Sequence, residues 1–165
     1  MVPSARKLHS GGWPKDPYNQ VVHLSDMTAH TVECLSRQGE TFTGRTEIMP
    51  EAESLLSHLR TLEDGMKTSA IKYANSSKLQ LLCSNYGPFE QCNEAMGIVI
   101  QRCSKEGWIT KTVRRVKRRR RELAHQTPLQ DILAVLRCVQ TLTTQTLYEA
   151  LWSAVCYRSP KWSCS

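Results

Sequence analysis

Apolar residues recur every three or four positions in several separate stretches of this chain, and over no useful length do they alternate every second residue. Leu55, Leu59, Leu62, Met66, Ala70 and Tyr73 follow one another at spacings that place them on one face of a long helix. Phe89, Cys92, Met96, Val99 and Cys103 make a second such face, and Leu129, Ile132, Leu133, Leu136, Val139 and Leu142 a third. After Thr143 and Thr144, Leu147, Leu151 and Val155 continue at a spacing of four and predict a last helix. There is no Asn-Gly hairpin signal and no internal repeat. The pattern therefore predicts an all-α fold, a compact bundle of five or six helices with a flexible N-terminal arm. Leu55, Leu59, Leu62, Met96, Val99, Leu133, Leu136 and Leu151 are the expected core.

Gly and Pro mark the boundaries. Pro3, Gly11, Gly12, Pro14 and Pro17 break regular structure, so residues 1–24 read as the arm, with Trp13 and Tyr18 available to tack it down. A first helix is expected from Ser25, with Ser25 or Asp26 as N-cap, Met27, Val32 and Leu35 as its apolar set, and Gly39 as its stop. Gly39 to Arg45 is turn-rich. Pro50 suits the first position of the next helix, because its missing N–H would have had no intrahelical partner there, and Glu51 and Glu53 complement the dipole. Asp64-Gly65 weakens that helix by about 1 kcal/mol relative to Ala and is a place for it to kink or split. Asn75-Ser76-Ser77 ends it, and Leu79 to Cys83 forms a short apolar turn or helix. Gly87-Pro88 opens another helix, and Thr127-Pro128-Leu129-Gln130 is a capping box with proline at the first helical position. The expected organisation is an arm (1–24), one helical domain (25–158) and a short tail (159–165).

Composition narrows the class. Among 165 residues 40% are apolar, enough for one core, and no window approaches the 18 consecutive apolar residues of a spanning helix. The first residues lack the apolar run of a secretory signal, and Val2 excludes N-myristoylation at a glycine. Seven cysteines (Cys34, Cys83, Cys92, Cys103, Cys138, Cys156, Cys164) are an odd number with no CxxC pair, which favours an intracellular chain whose thiols pack as small hydrophobes. His30 and Cys34 stand one helical turn apart with His23 nearby, but no second ligand pair follows at zinc-site spacing, so no metal is expected. The five histidines form no HExxH, and GxSxG, GxGxxG and the phosphate-cradling GxxxxGK[ST] are all missing. Neither an enzyme nor a cofactor is expected.

One segment carries functional information. Lys111, Arg114, Arg115, Lys117, Arg118, Arg119, Arg120 and Arg121 place eight cations in eleven residues with no acid among them. The chain is +7 overall; without these eight it holds 14 bases against 15 acids. The positive charge is thus one local object, and such a density gains from an anionic partner. Arginine dominates, and its planar fork suits phosphate and guanine better than an ammonium does. An arginine-rich helix enters an RNA major groove where a bulge widens it, and Val113 and Val116 offer a way to seat one side of the segment on a core. Nucleic-acid binding, RNA ahead of DNA, is the first reading, and nuclear import through Lys117 to Arg121 and an import receptor is compatible with it. Attraction to an anionic membrane, or a charged face paired with Glu51, Glu53, Glu63 and Asp64, are the others.

An arginine-rich segment followed directly by a leucine-rich helix resembles the layout of small retroviral RNA-export regulators. The resemblance covers residues 111–142 and consists of composition and order. It implies RNA binding by the first part and an export signal at Leu129, Ile132, Leu133 and Leu136, positions that a buried amphipathic helix fills in the same way. The expectation is a small helical RNA-binding regulatory or structural protein of the nucleus and cytoplasm, viral in character, with a second copy of the chain among its expected partners. The alternative is a helical adaptor or matrix-type protein acting through protein or anionic-membrane contacts, the basic run then serving as a nuclear localisation signal.

Overall fold

The computed structural model describes residues 12–38, 44–103 and 128–158. Five α-helices and one 310 turn make up these segments, with no strand among the described residues. The helices are α1 (Pro17–Gln38), α2 (Arg45–Thr68), α3 (Ser77–Leu82), α4 (Pro88–Cys103) and α5 (Leu129–Arg158), and the 310 turn Ala70–Lys72 follows α2.

Four long helices form a ring: α1 packs on α2 and α4, and α5 packs on the other side of the same two. Polar contacts set the directions. Arg137 Nε donates to Glu51 Oε2 at 3.1 Å, and Gln140 Nε2 donates to Ser54 Oγ at 2.7 Å. Both partners advance by three residues together, so α2 and α5 run parallel. Arg45 Nε donates to the Leu35 carbonyl at 3.0 Å, joining the end of α1 to the start of antiparallel α2. Gln20 Nε2 donates to the Cys83 carbonyl at 3.3 Å near the starts of α1 and α4, while the Cys34 thiol influences that of Cys103 near their ends, so these two are parallel. One end of the ring therefore holds the C-termini of α1 and α4 and the N-termini of α2 and α5. At the other end residues 69–87, including α3, cross the ring diagonally from α2 to α4.

The core forms where the periodicity predicts it. Leu55, Leu59, Leu62, Met96, Val99 and Leu136 are fully enclosed and Leu133 nearly so, each contributing about 1.5–3 kcal/mol of burial. Phe89, Cys92 and Cys103 bury the rest of the α4 stripe. Ser76 caps α3 as its position suggests, accepting the Leu79 N–H at 3.2 Å.

Several expectations are corrected. Helix α1 starts at Pro17, eight residues before Ser25, with the Asp16 carboxylate accepting the Asn19 N–H at 3.0 Å. Asp16-Pro17 is itself a cap followed by a first-position proline. Residues 17–24 hence belong to the body rather than to an arm, and Val21 and Leu24 are fully buried. Ser25 lies inside the helix with its side chain enclosed. Pro50 does not open α2; the Gly44 carbonyl accepts the N–H groups of Glu47 and Ile48, and the helix begins at Arg45 because Ile48 is drawn fully into the core. Gly65 does not split α2, which runs unbroken through it. The helix ends at Thr68, and Tyr73, beyond the 310 turn, folds back over Gly65. Thr143 and Thr144 do not divide the last segment: α5 is one helix of 30 residues, about 45 Å long. Its buried line runs Val139, Thr143, Thr146, Ala150, and Leu151, expected in the core, is 63% exposed. Each step of four residues advances about 400°, so the run Leu147 to Leu151 rotates away from the core by about 40° per step.

Candidate nucleic-acid interface

The eight cations Lys111, Arg114, Arg115, Lys117, Arg118, Arg119, Arg120 and Arg121 lie outside the described residues, as do Val113 and Val116. What the fold supplies is the place from which their segment departs and to which it returns. Residues 104–127 leave the C-terminus of α4 and rejoin at the N-terminus of α5, and both belong to the same end of the ring. The start of α5 adjoins the start of α2, where a Leu129 methyl packs against Gly44. Two helix N-termini, each a locus of partial positive charge, thus stand side by side where the basic segment returns.

Charge is divided accordingly. Residues 104–127 contain nine Lys and Arg against two Asp and Glu, a net +7, whereas the described residues contain ten against twelve, a net −2. The arginines of the described body at this end have partners inside it: Arg37 pairs with Glu33 one turn away, Arg137 with Glu51, and Arg45 with the α1 carbonyl. Burial holds the Arg102 guanidinium, one residue from the end of α4, below its ordinary pKa. Of the four acids named as partners for the basic run, Glu51 is taken by Arg137, Glu53 is exposed in the first half of α2, and Glu63 and Asp64 sit near the far end of that helix.

The leucine-rich stretch after the basic run is core. Ile132, Leu133, Leu136 and Val139 are buried, and Leu129 and Leu142 pack against them, so a receptor could reach the stretch only after the bundle opened.

Other chemistry is thin. Cys34 Sγ lies 3.9 Å from His30 Nε2, and burial pushes the thiol up against the opposing influence of Arg37. Burial lowers the pKa of His23, against the pull of Asp26, and its ring meets Trp13 edge-on at 5.2 Å. Among the described residues no three of His, Cys, Asp and Glu converge on a metal position. Burial raises the thiols of Cys83 to about 12 and Cys103 to about 11, and that of Cys92 higher still. They are protonated at neutral pH, which suits packing and not nucleophilic attack. No helix among the described residues is long and apolar enough to cross a membrane.

Sequence periodicity did not reveal which apolar side chains stay outside. Ile71, Leu81, Tyr86, Tyr148, Leu151 and Trp152 are all more than half exposed, and all lie toward the α3 end, away from the roots of the basic segment. The one signal available beforehand is a run without acids: residues 65–89 contain Lys67, Lys72 and Lys78 and no Asp or Glu.

No protein-family model, no curated protein and no solved structure matches this chain.

Proposed function

We propose that the protein is a small helical RNA-binding protein that engages phosphates through the arginine-rich segment Arg114–Arg121. The observation that carries this reading is the segregation of charge. A helical body of net −2 is joined at one end to a 24-residue connection of net +7, so the positive charge is gathered in one stretch of the chain and the body's surplus of two acids is too small to neutralise it. Each phosphate they neutralise releases counterion, which makes affinity fall steeply with salt. Arginine in place of lysine adds forked, bidentate contacts to phosphate and guanine.

The test is binding of a structured RNA, followed by fluorescence anisotropy over a salt series. Replacing Arg118, Arg119, Arg120 and Arg121 with Ala removes four of the seven net charges. On B-form DNA as a reference ligand the log–log salt slope flattens by up to about 3.6, at roughly 0.9 per lost phosphate contact, and by less on single strands. Lysine at the same four positions preserves the charge, so non-specific binding survives while discrimination between a bulged and a plain hairpin weakens. Equal RNA affinity of the alanine variant and the parent at moderate salt would remove the assignment.

A further inference from the structure

We draw no further inference here: the strongest candidate, the exposed apolar patch of Ile71, Leu81, Tyr86, Tyr148, Leu151 and Trp152 at the α3 end of the bundle, is bordered by carboxylates as well as lysines, and nothing in the structure shows what covers it.

Discussion

Gly65 sits inside α2, where replacing glycine by alanine ordinarily stabilises a helix by about 1 kcal/mol. Here the sign is expected to reverse. A Cβ on Gly65 would stand 2.3 Å from the Tyr73 hydroxyl oxygen, 3.0 Å from Cζ and 3.2 Å from Cε2, so it meets the edge of the ring and not only its tip. Tyr73 is 8% exposed, and moving it sacrifices packing. Overfilling a packed site costs about 1–3 kcal/mol, which exceeds or cancels the helix gain and leaves Gly65→Ala neutral to about 2 kcal/mol destabilising. Removing the ring first restores the ordinary sign, and in a Tyr73→Ala background Gly65→Ala should stabilise by up to about 1 kcal/mol. Urea unfolding of the four proteins gives the coupling directly, expected at about 1–3 kcal/mol. A Gly65→Ala protein more stable than the parent, with the same increment in both backgrounds, would show that Tyr73 does not occupy the space over Gly65.

Two further outcomes follow from the backbone and the buried thiols. Pro50 is exposed in the interior of α2, where it packs on little and denies the helix one N–H, so Pro50→Ala should raise stability by about 1–2 kcal/mol, seen as a higher melting temperature; an unchanged or lower one would mean that the proline's fixed φ favours the folded state by more than the missing N–H costs. The thiols of Cys83 and Cys103 are raised by burial from 9.0 to about 12 and about 11, so in the intervening range the unfolded chain loses protons that the folded chain keeps. Stability is therefore full below about pH 9 and declines as pH climbs through that window, and urea midpoints should show a smaller decline after Cys83→Ala and Cys103→Ala together.

How much of the fold could be read beforehand depended on what fills the core positions. Helices α2 and α4 bury large apolar residues at intervals of three and four, and both were legible from Leu55 to Met66 and from Phe89 to Cys103. Helix α1 was half hidden because its inward line includes Gln20, Ser25, Thr28 and Thr31 beside Val21, Leu24 and Leu35. The threonines enter the core because their hydroxyls turn back onto the helix: Thr28 Oγ1 donates to the Leu24 carbonyl at 2.7 Å and Thr31 Oγ1 to that of Met27 at 2.8 Å. With its polar atom satisfied, each presents a methyl group to its neighbours, and a polarity pattern alone counts it as surface. The same substitution hides the second half of α5, where Thr146 Oγ1 donates to the Leu142 carbonyl at 2.8 Å and Thr143 is fully enclosed.

Legibility of function divides along the same line. The arginine-rich segment was visible because charge density needs no fold to be counted; its relation to the body was not, because it depends on α1 and α2 running parallel to α4 and α5 respectively, which brings both roots of residues 104–127 to one end. The exposure of Ile71, Leu81, Tyr86, Tyr148, Leu151 and Trp152 was invisible for the opposite reason. Ile71, Leu81 and Trp152 read as core candidates by type, and only the angular position of each on its element separates an inward side chain from an outward one. On α5 that position turns on whether the continuing line passes through Leu147 and Leu151 or through Thr146 and Ala150, a difference of one residue and about 100° around the helix. The choice of the small, polar line is what releases Tyr148, Leu151 and Trp152 to the surface. A bundle that fills its core there with Thr and Ala, while leaving larger apolar side chains outside, gives up burial that it could have had.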